Sequence, residues 1–292
     1  MERLHVGIST CPNDTFCFHG LLTGAVDPQG FEFRFELADV ETLNQRLLAG
    51  EFDAAKGSFR AALEATEELG VLSAGAAVGR GVGPVLLGPV LLGARAEGGP
   101  AAAVEGRAAR ILTPGRHTTA SLLYALFHAG EGEVRDVVFS EIIPALQRGA
   151  ADFGVCIHEG RFTYEAAGLR LVEDLGERWE QATGAPLPLG GILARRSLGA
   201  ERHGRLAAAI RASLDHAHAH PAEALVSMRE HAQEHSDEVL RAHVDLYVNE
   251  DTRTLSPTAV RALATLDERA RAAGITPPGA PPLEVLGVPG PG

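Results

Sequence analysis

At 292 residues, 45% of them apolar and 22% charged, the chain has an ordinary globular composition and is long enough for two lobes. The net charge of −12 excludes a principal role in binding nucleic acid, because phosphate contacts require a basic face. No apolar run is long enough to span a bilayer and no basic, apolar leader precedes the first strand, so a cytoplasmic protein with no membrane partner is expected.

Leu4 to Thr10 is a strand candidate running into CPNDTF, where Pro12, Asn13 and Asp14 read as a sharp turn. Asp14 or Thr15 is expected to cap a helix through Leu22, ended by Gly24. FEFRFEL alternates strictly, which places Phe31, Phe33, Phe35 and Leu37 on the buried face of a strand. ETLNQRLLAG follows as a short helix closed by Gly50. EFDAAKGSF repeats the pattern of a strand ending in a polar turn, here Lys56, Gly57 and Ser58, before a helix from Phe59 expected to carry Leu63 and Leu69. Lys56 is the only lysine, so Schiff-base chemistry would have to use it. By themselves, Lys56 and Ser58 read first as a solvated lysine beside a helix cap.

GPVLL occurs twice in tandem, at Gly83–Leu87 and Gly88–Leu92. One copy serves as a strand crossing between lobes. The second adds an odd number of residues and must be looped out or absorbed in a bulge, with Pro89 as the break. The small, Gly-rich stretch from Ala96 to Ala109 reads as a surface connection.

Strand Arg110–Leu112 passes through Pro114-Gly115 into a helix with Leu122, Leu123, Leu126 and Phe127 on its apolar face. Thr118 and Thr119 stand at its first turn, where unpaired N–H groups suit a carboxylate, although a Thr cap needs no ligand. VRDVVF is the next strand, and SEIIPALQRG a helix capped by Ser140. Phe153–Ile157 is an apolar run with the character of a strand buried on both faces, and His158 follows directly at its carboxyl end. Ligands of open α/β sheets bind at such strand ends, so His158 is a candidate base or acid; its plain alternative is a strand-end histidine bonded to a neighbour. Gly191–Ala194 is read as the second crossing. Helices are expected over Arg205–His220, Pro221–Glu234, Asp237–Val248 and Pro257–Ala273, with an irregular tail after them.

Cys11, Cys17 and Cys156 sit at no metal spacing and suit thiols in a reducing compartment. DHAHAH, ending at His220, offers only His216 and His220 on one helical face. HAQEH, His231–His235, fits the pattern H-x-x-E-H but lacks a third ligand downstream. These histidines are therefore expected to face solvent, and no metal and no cofactor are expected.

The order of elements predicts a two-lobed α/β protein with two crossover strands and an interlobe cleft lined by the polar strand ends. Lobe one is expected to comprise residues 1–93 and 195–292, and lobe two residues 94–194. Six motifs bear on family: Ser9–Phe16, DVETLN (Asp39–Asn44), GRGVGP (Gly79–Pro84), PGRHTTA (Pro114–Ala120), IHEGRFTY (Ile157–Tyr164) and LPLGGILARR (Leu187–Arg196). Together they resemble the futalosine-pathway menaquinone enzymes of the type II periplasmic-binding-protein fold. The doubled GPVLL departs from that pattern, as does Gly57, where an aliphatic residue is expected.

What the resemblance implies is a cofactor-free carbon–carbon lyase acting on cyclic dehypoxanthinylfutalosine. It would release 1,4-dihydroxy-6-naphthoate and dihydroxyacetone. By matching position, His158 is the general base, and Lys56, Gly57, Ser58, Thr118 and Thr119 line the substrate. A small carboxylate substrate also suits the helix starts at Thr118 and Asn13. The expected partner is this small molecule alone, on a monomer or homodimer. The alternatives are a chorismate dehydratase-type sibling enzyme, a small-molecule solute-binding protein of the same fold, and, more remotely, a regulator's effector domain.

Overall fold

The computed structural model describes residues 1–89, 104, 106–158, 160–232 and 236–288. The chain divides into two compact units, Met1–Gly79 with Pro188–Gly292, and Arg80–Leu187. The boundary expected at 93/94 falls outside the described residues, and the one expected at 194/195 falls within a strand.

The first unit opens with strands β1 (Glu2–Ser9), β2 (Phe31–Ala38), β3 (Ala54–Ser58), β4 (Leu69–Leu72) and β5 (Ala77–Gly79). The second unit holds β6 (Val85–Pro89), β7 (Arg110–Thr113), β8 (Glu133–Asp136), β9 (Phe153–Cys156) and β10 (Leu169–Asp174). β11 (Leu187–Arg195) returns the chain to the first unit, which ends with β12 (Val285–Leu286).

The first sheet has the order β12-β4-β11-β3-β1-β2, with β5 paired to β11 off that path. β1 runs parallel to β2 and β3, whereas β11 is antiparallel to β3 and β4. Its central strands are buried on both faces, and Val6, Ile8, Ala54, Ile192 and Ala194 are fully enclosed. The long helix Ala200–Ala219 covers one face with Leu206, Ile210 and Leu214. The alternation of β2 holds: Phe31 is buried, and Phe33, Phe35 and Leu37 pack half-buried on the same cluster. The second sheet has the order β10-β6-β9-β7-β8, with β7 parallel to both β8 and β9.

Several local expectations change. The helix expected from Asp14 or Thr15 starts instead at Pro12, with Cys11 as its cap and proline at the first helical position, where its fixed φ is already helical. It breaks at Phe18, giving Pro12–Cys17 and His19–Leu22. The helix after Phe59 ends at Glu64, so Leu69 opens the buried strand β4 instead. VRDVVF yields only β8, exposed along its length, and Phe139–Glu141 forms a 3-10 turn, so Ser140 caps nothing. The tail contains β12, which pairs with β4 and buries Leu286 against Gly70, where a Cβ would stand 2.7 Å from Leu286. Within the GPVLL repeat, β6 ends at Pro89, and the facing strand shifts register between Leu171 and Glu173. Val90–Leu92 and most of Ala96–Ala109 lie outside the described residues.

Candidate functional site

In the second unit, β7 and β9 are parallel neighbours, with Ile111 opposite Phe153 and Leu112 opposite Gly154. Their carboxyl ends therefore open on the same edge of the sheet. Beyond β7, Thr113 leads through Pro114 and Gly115 to the helix Thr119–Phe127. Thr118 caps that helix: its Oγ1 accepts from the Ser121 N–H at 3.2 Å and donates to the Gly115 carbonyl at 2.8 Å. Ser121 Oγ donates to the same carbonyl at 2.6 Å, so the turn is held twice. The Thr118 hydroxyl thus serves the turn, which aims the helix start and buried Thr119.

Beyond β9 stands His158, half-buried and in the left-handed backbone region at φ 54°. Among the described residues, only Gln29 shares that conformation without being glycine. For a histidine this costs about 1–2 kcal/mol relative to right-handed geometry. Such a cost persists where the surroundings over-determine the conformation, which is common at reacting groups. Its ring meets Phe139 edge-on, with centroids 5.1 Å apart. The segment beyond is anchored by Arg161, which donates to the Gly83 carbonyl at 2.8 Å and to Asp174 at 2.6 Å. Glu159 lies outside the described residues.

In the first unit, the parallel strands β1 and β3 also end on a common edge. Asp14 is the hub there. Its carboxylate accepts from Lys56 Nζ at 2.7 Å, from Asn13 Nδ2 at 3.0 Å and from the Ser9 hydroxyl. The Lys56 and Asp14 side chains are only 7% and 5% exposed, so this is a buried ion pair. Asn44 bridges to the strand end by accepting from the Ser58 N–H at 2.8 Å and donating to Ser58 Oγ at 3.3 Å. Nearby, burial pushes the Cys17 thiol up to about 12, with the Asp14 charge adding and Lys56 opposing, so Cys17 is inert as a nucleophile at neutral pH. All three cysteines are buried thiols.

The solvated reading of Lys56 is thereby overturned, because the sole lysine needs a buried counter-charge and Asp14 supplies it. Gly57 leaves no slack: a Cβ there would stand 2.7 Å from Leu193 Cδ1 and 3.1 Å from Asn44 Oδ1. Lys56 and Asn13 thus meet on the Asp14 carboxylate and Ser58 on Asn44, with Gly57 between Lys56 and Ser58 on β3, while Thr118, Thr119 and His158 share one sheet edge in the second unit. Sequence reading missed Asp14 as a hub, because an acidic residue near a helix start reads first as a cap. It also missed Asn44, which lies in the DVETLN motif but carried no assigned role.

Residues 4–272 match the family model described as menaquinone biosynthesis. The chain belongs to that family. Within the menaquinone-biosynthesis family it is similar to the 1,4-dihydroxy-6-naphthoate synthase of Thermus thermophilus, at 45% identity over 286 residues covering 98% of this chain and all of that one. The enzyme of the same name from Streptomyces coelicolor is 38% identical over 281 residues, covering 94% and 95%. A solved protein from Archaeoglobus fulgidus superposes with a TM-score of 0.84 at 31% identity, covering 94% of this chain and 98% of that chain. The alkanesulfonate-binding protein of Xanthomonas axonopodis pv. citri superposes at 0.67 with 12% identity and 95% of each chain, a likeness of fold alone. The fold is therefore of the periplasmic-binding-protein type, and family membership makes the chain a menaquinone-biosynthesis enzyme. Among the described residues no helix is long and apolar enough to cross a membrane.

Proposed function

We infer that the chain is a carbon–carbon lyase that converts cyclic dehypoxanthinylfutalosine to 1,4-dihydroxy-6-naphthoate and dihydroxyacetone, with His158 as general base. The observation that carries this reading is His158 itself: a histidine held at positive φ where the buried strand β9 ends, on the edge where the Thr118 helix starts. Fragmentation beside a carbonyl begins with loss of a proton from a hydroxyl or an acidic carbon. Imidazole titrates near working pH and, when positioned, contributes ~10²–10⁴-fold to such a step. Formation of the aromatic ring supplies the remaining drive and belongs to the substrate.

The other groups fall into supporting roles. Thr119 and the N–H groups of its helix suit the substrate carboxylate, because a helix start favours an anion. Ser58 offers a hydroxyl whose backbone is fixed by Asn44, and Gly57 brings the β3 backbone close to its neighbours. Lys56 and Asn13 act through Asp14, which keeps the Ser9–Asp14 turn in place. No cofactor is required by this scheme.

The test is turnover. Purified protein is incubated separately with cyclic dehypoxanthinylfutalosine and with the chorismate-type acid that a sibling dehydratase would use, and products are separated by chromatography. Release of 1,4-dihydroxy-6-naphthoate from the first alone is expected. Turnover of the second alone would replace this reading with the dehydratase one, and tight binding of either without turnover would make the chain a binding protein.

A further inference from the structure

The first unit contains a second cluster of ligand-type side chains, in none of the roles given above. His19 opens the short helix His19–Leu22, His216 lies in the last turn of Ala200–Ala219, and Glu223 stands in the first turn of Pro221–His231. One ligand atom from each lies within 4.8 Å of the others. His19 is 2% exposed, and its Nε2 is buried with no hydrogen-bond partner among the described residues. His216 Nε2 is in the same state. Two ring nitrogens on neighbouring imidazoles, whose centroids stand 5.7 Å apart at 20°, are thus buried with no hydrogen-bond partner among the described residues.

We propose that His19, His216 and Glu223 form a binding site for one divalent transition-metal ion of the zinc class.

The donor set decides the class of ion. Two imidazoles and a carboxylate suit zinc and its first-row neighbours, and exclude magnesium and calcium, which take oxygen ligands. Zinc holds nitrogen and oxygen at about 2.0–2.2 Å, which sets tetrahedral ligand atoms roughly 3.4 Å apart. The ligand atoms stand within 4.8 Å of one another, so they must draw in to reach that spacing, and Glu223, exposed and unbranched, is the arm free to move. Three protein ligands leave a fourth position for water.

The surroundings are those of a metal-bound histidine. His19 Nδ1 lies 2.8 Å from Ser227 Oγ, one helical turn beyond Glu223, and that bond fixes the ring and leaves Nε2 as the nitrogen open to an ion. On the far side, His220 stacks on His216 at 4.2 Å, with its Nδ1 3.0 Å from the His216 carbonyl. The His216–His220 pair expected from DHAHAH is therefore a ring stack, and His216 turns inward to His19 instead of facing solvent. His235 and Glu234 of HAQEH lie outside the described residues. The ion would tie residue 19 to residues 216 and 223 in the folded state only, so its binding stabilises the fold by mass action.

The experiment uses the full chain, stripped with chelator and titrated with zinc chloride by calorimetry, and with cobalt(II) by visible absorption. One equivalent of zinc should bind, cobalt should give the intense bands of a tetrahedral site, and zinc should raise the melting temperature. Glu223→Gln, on an exposed side chain that the fold does not need, should weaken zinc binding by at least the ~10–100-fold typical of losing even an outer-shell partner. His216→Gln should do the same, and Ser227→Ala should fall within that range. Absence of saturable binding in the wild type would overturn the site. So would undiminished affinity in Glu223→Gln and His216→Gln, or loss of binding on His218→Gln or His231→Gln, which would place the ion on surface histidines. None of these readouts depends on turnover, so failure here leaves the lyase reading untouched, and the reverse.

Discussion

Lys56→Met gives the sharpest test of the first unit's polar network. Methionine keeps the length of the stem and removes the ammonium, which leaves the Asp14 carboxylate 5% exposed with Ser9 and Asn13 but no cation. An exposed pair would lose ~0–1 kcal/mol on such a change. Stranding one charge of a buried pair costs ~3–5 kcal/mol. The burial of both partners places Lys56 in the second class. The melting temperature should fall by roughly 6–20 °C, and the urea midpoint should drop with little change in slope. Adding Asp14→Asn to the variant removes the stranded charge, so the double variant should lose less than the sum of the singles, with a coupling of ~1–3 kcal/mol in the cycle. A loss below ~1 kcal/mol for Lys56→Met, or strict additivity in the cycle, would mean that the pair is not a structural hub.

His158→Asn should fold normally, because asparagine tolerates positive φ, yet lose ~10²–10⁴ of kcat; near wild-type kcat would remove His158 from the base role. Ser58→Ala should raise KM by a few-fold if the lost bond is neutral, or roughly 10–100-fold if it held the substrate carboxylate, and Thr119→Val should act similarly. An unchanged KM in both would clear these side chains of substrate contact. Asp152 contributes to the acid dependence of the second unit. Burial alone would raise its carboxyl, but hydrogen bonds from the Arg107 and Arg110 side chains and the Arg110 N–H outweigh it and hold the carboxyl well below the usual range. A depressed carboxylate contributes stability above its unfolded value of ~3.9 and loses it as pH falls toward the folded one. Asp152→Asn should therefore be less stable than wild type at neutral pH, with the gap closing below about pH 4; a gap that persists into acid would refute the assignment.

The fold was legible where periodicity or burial dictated one answer. Phe31–Leu37 alternates and can only be a half-buried strand, and the apolar run at Phe153 has no exposed face to offer. Leu69–Leu72 and Val285–Leu286 were not legible, because four-residue and two-residue strands carry no period and exist only through their partners. The candidate site followed the same division. Strand-end residues such as Ser58 and His158 are marked by position in the chain. Asp14, Asn44 and His19 are marked only by what folding brings to them, from 42 residues away for Lys56 and 208 for Ser227.

The position of β11 between β3 and β4 bears on the order in which the chain can fold during synthesis. β3 and β4 are made early, but the strand that joins them begins at Leu187, after the whole second unit has been translated. Arg80–Leu187 is continuous in sequence and can close its own sheet on emerging, whereas the first unit must wait with β4 unpaired and one edge of β3 open. β4, with the sequence LGVL, is apolar on both faces, the kind of strand whose open edges recruit other chains. A nascent chain arrested before residue 187 should thus hold a protease-resistant core of the later segment and an aggregation-prone earlier one. The part of the protein made first is the part that folds last.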